Sequence, residues 1–356
     1  MSNSLRVSNS PRIRSFTSHC LLTALLAAGV VLGGCQRKQA AEAASATSAS
    51  ATPGSSKVRF ADDAPLTEAP TPPAVASNPL AHAKLFVDPE SLAMLQTRRL
   101  AAADPAKAEV LHKIADQPQG LWMGEWNTDI FRAVEHFVKR ARTDGSVPIV
   151  IAYNIPNRDC GQYSAGGISS ADAYKRWIRN VAAGIGNDPA VVILEPDAIG
   201  HFQECLSDAQ KEERMMLLHD AVKVLRQSPN TAVYLDAGHA RWVPVDEITA
   251  RLKKAGVEDA HGFSLNTSNY VSTEENLAYG KSVSAALGGK HFVIDTSRNG
   301  AGPYEGAKTA EEAWCNPPGR KIGHAPTTET GEPTCDGFLW LKRPGESDGE
   351  CSGGPK

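Results

Sequence analysis

Aspartate side chains follow several short apolar runs in this sequence, at the points where the runs end. Asp159 follows Tyr153 closely, Asp197 comes after Pro196, and Asp236 ends a further run. A single aspartate in such a place is explained by a helix cap or an Asx turn. Turn formation does not explain why carboxylates recur at so many run ends, and grouped carboxyl groups can act as general acids and bases. We therefore predict a polar site suited to proton-transfer chemistry.

The elements that position these residues alternate between two kinds from residue 79 onward. Short β-branched or aromatic runs predict strands at 84–87, 120–124, 147–153, 191–195, 232–236, 262–265, 291–295 and 337–341. Longer segments of helical period lie between them, most clearly at 169–185 and 208–226. This alternation is typical of βα units, and we predict an α/β fold with seven or eight parallel strands, a (β/α) barrel or a relative of one. In such a fold the loops at the carboxyl edge converge on one opening.

The first 78 residues have a different composition from the rest of the chain. Residues 1–34 contain three arginines, no acidic residue and a short apolar run, which predicts a signal peptide rather than a membrane-spanning helix. The run ends in Leu-Gly-Gly before Cys35, which resembles a bacterial lipobox, so we expect Cys35 to be a lipid anchor. Ordinary cleavage nearby is the alternative. Residues 35–78 are rich in Ala, Ser, Thr and Pro and predict a flexible tether, and residues 79–356 form one folded domain. The protein would be exported, either anchored to the bacterial (outer) membrane or secreted.

Charge and motif content argue against two further classes of protein. Lys plus Arg number 37 against 40 Asp plus Glu, and no basic stripe is present, so we expect no nucleic-acid partner. The ten histidines form no HExxH motif, and the cysteines form no paired clusters. We therefore expect neither a metal site nor a cofactor.

Two long motifs are more specific than composition. The sequence IAYNIPNRDCG begins at Ile151, and VILEPDAIG begins at Val192. They resemble the two signatures of family 6 glycoside hydrolases, the cellulases. Three further blocks match in the family's order, namely YLDAGH from Tyr234, Trp314-Cys315 and WLKRPGESDG from Trp340. The resemblance implies a distorted barrel of about seven parallel strands with an active-site cleft, and inverting hydrolysis of β-1,4-glucosidic bonds.

The resemblance also implies roles for four catalytic residues. Asp197 matches the acid, which must stay protonated near neutral pH to donate to the glycosidic oxygen. Asp159 matches the second aspartate, whose charge favours the protonated form of its neighbour. Asp348 matches the candidate base, acting directly or through a water chain. Tyr153 matches the tyrosine that crowds the sugar ring undergoing distortion.

The remaining site residues are expected to bind β-glucan. Indole rings bind the flat C–H faces of sugars, and polar side chains bind the hydroxyl groups at the edge. The candidates are Trp122, Asp236, His239, Trp242, Asn266, Asn269, Trp314, Lys342 and Glu346. This chain departs from the family at Val245, where a second aromatic residue is common, and at Ala165, where some members carry a serine.

The cysteines have separate expected fates. Of seven, Cys20 leaves with the signal peptide and Cys35 carries lipid, and composition leaves the pairing of the other five open. The resemblance implies disulfides Cys160–Cys205 and Cys315–Cys351, with Cys335 as a buried free thiol.

The mode of cleavage depends on loop length. The segments closed by the two expected disulfides are compact, and only two residues separate Asp348 from Cys351. We therefore predict an open cleft and an endoglucanase. The alternatives are a cellobiohydrolase of the same family and a surface glycan-binding lipoprotein that has lost catalysis.

Overall fold

The computed structural model describes residues 57–75, 78–161, 164–202 and 205–354. The predicted signal peptide, Cys35 and the first part of the predicted tether lie outside these residues. Within the described ranges, no helix is both long and apolar enough to cross a bilayer.

Strands and helices alternate along the domain after an initial helical hairpin. The helices are α1 Leu92–Ala103, α2 Pro105–Ala115, α3 Ile130–Thr143, α4 Ala171–Ile185, α5 Asp208–Leu225, α6 Val245–Lys254, α7 Thr273–Ala286 and α8 Ala310–Trp314. The strands are β1 Leu121–Met123, β2 Ile149–Ala152, β3 Ala190–Leu194, β4 Thr231–Asp236, β5 Gly262–Leu265, β6 His291–Asp295 and β7 Cys335–Leu339.

The strands form one parallel sheet in the order β1 to β7, and each pair of neighbouring strands is connected through a helix. The ends of the sheet are not paired as strands. They are linked by a backbone hydrogen bond from Gly120 N to Trp340 O at 2.8 Å and by one from the Trp122 indole to Leu341 O at 2.9 Å. This curled, incompletely closed sheet confirms the predicted distorted barrel of seven strands.

The predicted strand at 84–87 is reduced to a single bridge between Leu85 and Val147. The reason lies in β2, because β1 occupies the same edge of β2 from Val150 onward. No room remains on that edge for a longer pairing.

The core explains why the sheet assembles. Every residue of β2, β3 and β4 is buried, as expected for a parallel sheet covered by helices on its outer face. The two clearest helix predictions are confirmed as α4 and α5. Ser170 caps α4 by accepting a hydrogen bond from Ala173 N, and Ser207 forms a capping box with Gln210 on α5.

Residues 57–75, here called the N-terminal strap, lie against α4 and α5, which differs from the predicted flexible tether. Their backbone has no regular secondary structure. Three arginines donate to strap carbonyls: Arg176 to Ala64 O, Arg179 to Thr67 O and Arg226 to Pro73 O, at 2.7, 2.8 and 2.6 Å. The prolines of the strap have no backbone N–H, so the strap supplies fewer donors for its own carbonyls. Arginine side chains from the helical layer donate the hydrogen bonds that these carbonyls need. Composition alone does not predict these contacts.

Candidate active site

The turn after β3 projects Asp197 from the carboxyl edge of the sheet. Both Glu195 and Asp197 have left-handed backbone, with φ of 51° and 67°. Non-glycine residues rarely adopt this conformation, and it persists where the surroundings hold it. Asn157, Asp159 and Cys160, after β2, share the same feature. Backbone strain is therefore concentrated in the two loops that bear the predicted catalytic aspartates.

Asp197 lies in an environment that favours its protonated form. Its backbone N–H donates to Asp236 Oδ1 at 3.0 Å. Burial, followed by the negative charges of Asp236 and Asp159, raises the pKa of Asp197 well above its ordinary value, although Arg298 and Lys342 act in the opposite direction. A carboxylic acid in this position can keep its proton near neutral pH and donate it.

Asp236 supports Asp197 instead of facing the cleft. It is 0% exposed, and its two oxygens accept hydrogen bonds from Asp197 N, Gly238 N, Ser264 Oγ and Thr267 Oγ1. Burial raises its pKa and these four donors oppose the rise. Since these donors stabilise the anionic form of Asp236, Asp197 is the one of the two carboxyl groups that keeps a proton. This role differs from the direct sugar contact implied by resemblance.

Asp159 lies close to the acid and is held from both sides. Its Oδ2 accepts a hydrogen bond from Ser164 N at 2.6 Å, and its Oδ1 is 3.5 Å from His201 Nε2. Burial, and then the negative charges of Asp197 and Asp159, raises the pKa of Tyr153 well above its ordinary value. Its hydroxyl group is therefore near both carboxyl groups. The structure thus brings together three of the four predicted catalytic residues.

Asp348 is engaged by three protein donors. Arg298 Nη1 donates to Oδ1 at 2.7 Å, while Tyr270 Oη and Asn316 N donate to Oδ2 at 3.2 and 3.1 Å. The ion pair is well buried, with side chains 9% and 7% exposed. Asp348 is therefore held in a fixed position by these three donors.

An aromatic and basic group lies at the seam between β1 and β7. The rings of Trp122 and Tyr153 meet edge to face at 5.1 Å, and Lys342 Nζ is 5.8 Å from the Trp122 ring centre. Lys342 Nζ is also 3.3 Å from Glu346, which pairs in addition with Arg343. Four residues predicted to bind or distort the sugar are thus adjacent here.

Trp242 lies in the loop after β4 and packs against two glycines. A Cβ atom at Gly200 or at Gly238 would come within 2.5 or 2.8 Å of the indole, so only glycine allows the ring this position. His201 and His239 flank the ring at centroid distances of 4.6 and 5.6 Å. Burial, then the charge of Arg241, lowers the pKa of His239 to about 4, so its ring is neutral near pH 7.

Three other predicted binding residues differ in their exposure. Asn266 is fully buried, and its amide donates to Val271 O and Asp295 O, so it braces loops. Asn269 is partly exposed and donates to Thr267 O. Trp314 ends α8 and is partly exposed.

The disulfides Cys160–Cys205 and Cys315–Cys351 are both present, as implied by resemblance. Cys335 is a buried free cysteine, also as expected, and burial raises its pKa to about 12. The first disulfide is in the loop of Asp159, and the second is close to Asp348.

Sequence reasoning missed the basic and aromatic residues that hold the site. Arg298 and Tyr270 contact Asp348, Arg214 lies beneath the Asp197 loop, and Trp126 is 51% exposed beside Arg158. The sequence contains 37 Lys and Arg residues, and no motif spacing indicates which arginines contact the site. For Trp126, the nearness of Trp122 was the available signal. Across the described ranges, no group of three or more His, Cys, Asp or Glu residues could hold a metal ion.

Comparison with known proteins agrees with this geometry. Residues 80–355 match the model of "Glycosyl hydrolases family 6". The chain is 44% identical over 301 residues to Endoglucanase 1 of Streptomyces halstedii, across 82% of this chain and 89% of that protein. It is 44% identical over 286 residues to Endoglucanase A of Thermobispora bispora, across 78% of this chain and 61% of that one, so it spans less than two thirds of the second relative.

A solved structure is similar as well. The endoglucanase Cel6 from Mycobacterium tuberculosis, in complex with methyl-cellobiosyl-4-deoxy-4-thio-β-D-cellobioside, is 45% identical with a TM-score of 0.74, covering 78% of this chain and 94% of that one. Because the family model matches most of the chain, the chain belongs to glycosyl hydrolase family 6.

Proposed function

We propose that this protein is an endo-β-1,4-glucanase that hydrolyses internal bonds of cellulose or related β-glucans with inversion. The observation that carries the proposal is the placement of Asp197, which is half-buried at the carboxyl edge of the sheet, is hydrogen-bonded through its backbone N–H to Asp236, and is subject to the negative charge of Asp159. The family and the names of the 44% identical relatives support the same activity.

In the proposed mechanism Asp197 gives its proton to the glycosidic oxygen as the bond to the anomeric carbon breaks. The leaving sugar departs as a neutral alcohol, and Asp197 becomes an anion. Asp159 keeps the acid protonated beforehand and stabilises the positive charge that develops on the sugar ring. Tyr153 lies beside both carboxyl groups, where it can crowd the ring towards a distorted conformation.

Inversion requires a water molecule that attacks from the opposite face of the sugar and gives up a proton. Asp348 is the proposed acceptor of that proton. Its oxygens already accept hydrogen bonds from Arg298, Tyr270 and Asn316, which favours transfer through an intervening water over direct contact. The product would be the α-anomer.

Cleavage within chains requires a cleft that a polysaccharide can enter from the side. Compact disulfide-closed segments and the endoglucanase names of the relatives favour this mode over cellobiohydrolase action. Product analysis on a soluble cellulose derivative decides it. Fast loss of viscosity is expected, and slow loss with cellobiose as the sole early product would support the exo mode instead.

The acid assignment is tested by Asp197→Asn on β-glucan and on 2,4-dinitrophenyl β-cellobioside, whose leaving group needs no proton. We expect a loss of about 10²- to 10⁴-fold on β-glucan and a much smaller loss on the aryl substrate. Asp63→Asn, an exposed change on the N-terminal strap, is the matched control. Near-normal activity of Asp197→Asn on β-glucan would refute the assignment. No reducing sugar from the unmodified enzyme would favour the glycan-binding alternative.

We further propose that export ends in lipid attachment at Cys35. Support comes from the charged leader, the short apolar run and the small residues before the cysteine. Metabolic labelling with an alkyne fatty acid in a bacterial host tests it. The label should be lost in Cys35→Ser and kept in Cys20→Ser, and labelling of Cys35→Ser would contradict the proposal.

A further inference from the structure

Glu195 is a fully buried carboxylate for which the mechanism above has no use. It is 0% exposed, and it lies between the end of β3 and Asp197. Its oxygens accept hydrogen bonds from Asn154 N at 2.9 Å, Ile155 N at 3.0 Å and Tyr174 Oη at 2.9 Å. Burying a charged group without partners is costly, so the three donors are what allow this carboxylate to be buried.

These donors place Glu195 between two catalytic loops. Asn154 and Ile155 lie near the start of the loop after β2, which continues to Asp159. Glu195 belongs to the loop that presents Asp197. The carboxylate thus joins the backbone of one loop to the other.

Arg214 on α5 makes the complementary connection. Its guanidinium donates to Ala198 O at 3.1 Å on the Asp197 side, and to Pro156 O at 3.2 Å and Asn157 O at 2.8 Å on the Asp159 side. Glu195 therefore accepts hydrogen bonds from backbone N–H groups of the Asp159 loop, and Arg214 donates hydrogen bonds to backbone carbonyls of both loops. Arg214 is 3% exposed. Both side chains are buried away from solvent.

We propose that Glu195 and Arg214 are positioning residues that lock the Asp159 loop and the Asp197 loop into one catalytic arrangement. This inference rests on the proposed function of those aspartates. Both loops contain non-glycine residues in left-handed backbone, so they need such restraint. The charged and titratable groups that act on Glu195 are Tyr174 from α4, Arg158 from the loop after β2 and Arg214 from α5.

If Glu195 and Arg214 position the two loops, their loss should change the pH dependence of catalysis, which a loss of stability alone would not do. The charge of Asp159 helps to keep Asp197 protonated, so loosening the loops should move the basic limb of the pH–rate profile to lower pH. Small displacements of catalytic groups lower kcat more than substrate affinity, because binding surfaces elsewhere remain.

The test compares Glu195→Gln and Tyr174→Phe with the unmodified enzyme on β-glucan and on 2,4-dinitrophenyl β-cellobioside. Glu195→Gln should lower kcat on β-glucan by about 10- to 100-fold with KM within about twofold, and shift the basic limb downward. The loss on the aryl substrate should be at least about fivefold smaller, because that leaving group needs no acid. Tyr174→Phe should show the same pattern more weakly.

Tyr234→Phe is the matched control, since it also removes a hydroxyl that donates to a buried carboxylate, that of Asp336 at the start of β7. It should lower the melting temperature without changing kcat or the pH profile. If Glu195→Gln does not fold, as judged by near-UV circular dichroism, Tyr174→Phe decides. Unchanged kcat and pH profile in the folded variant, with an effect on melting temperature alone, would overturn the positioning role. Inactivity of the unmodified enzyme on β-glucan would instead refute the proposed function.

Discussion

Asp348 and Arg298 form a buried ion pair, with Arg298 Nη1 donating to Asp348 Oδ1 at 2.7 Å. Arg298 also lies 4.3 Å from the ring centre of Tyr270, the second side chain that donates to Asp348. The aspartate is therefore fixed in position by residues from the loops after β5 and β6.

We expect Arg298→Met to lower kcat on β-glucan at least about tenfold, because the anion loses its strongest donor and its position. Arg179→Met is a matched control, since Arg179 and Asp220 form a similarly buried pair between α4 and α5. Both variants should lose stability, by about 3 kcal/mol for a broken buried pair, as measured by urea unfolding. Equal kcat in the two variants would contradict a catalytic part for the Arg298 pair.

Asp159→Asn should shift the basic limb of the kcat/KM profile to lower pH. The charge of Asp159 raises the pKa of Asp197, so its removal lowers that pKa and the acid loses its proton earlier as pH rises. Asp172→Asn, an exposed change on α4, alters net charge equally and should leave the limb in place. An unchanged limb in Asp159→Asn would show that the two carboxyl groups are uncoupled.

The pH dependence of stability should differ between Glu195→Gln and the unmodified protein. Burial raises the pKa of Glu195 from 4.5 to about 7, so its favourable contribution is complete below pH 4.5 and is lost as pH rises through 7. Glutamine does not titrate. The variant should therefore gain about 3 kcal/mol relative to the unmodified protein between pH 4 and pH 8. Urea unfolding at a series of pH values measures this difference, and a constant difference would mean that Glu195 titrates normally.

Removal of the N-terminal strap should destabilise the domain. A chain that begins at residue 79 loses three hydrogen bonds, because Arg176, Arg179 and Arg226 no longer have the strap carbonyls that accept from them. Compared with a chain that begins at residue 57, we expect a loss of about 2 kcal/mol and a melting temperature lower by roughly 5 °C. Glu68→Gln in the longer chain, which removes one exposed ion pair, should change little. Equal melting temperatures would mean that the strap is only a tether.

The sequence by itself determined the sheet, most of its strands and the candidate residues for the proposed chemistry. Apolar runs specified β2 to β6 because strands buried on both faces must be continuously apolar. Local motifs then placed Asp159 and Asp197 just after two of those strands, where a parallel sheet brings loops together.

Only the tertiary structure decided which groups act on those residues. Asp236 supports Asp197, Arg298 pairs with Asp348, and the strap carbonyls meet arginines on α4 and α5. Each of these contacts joins residues that are far apart in the chain. Hydrogen bonds and ion pairs depend on distance and direction in space, whereas periodicity and motif spacing describe only neighbours along the backbone.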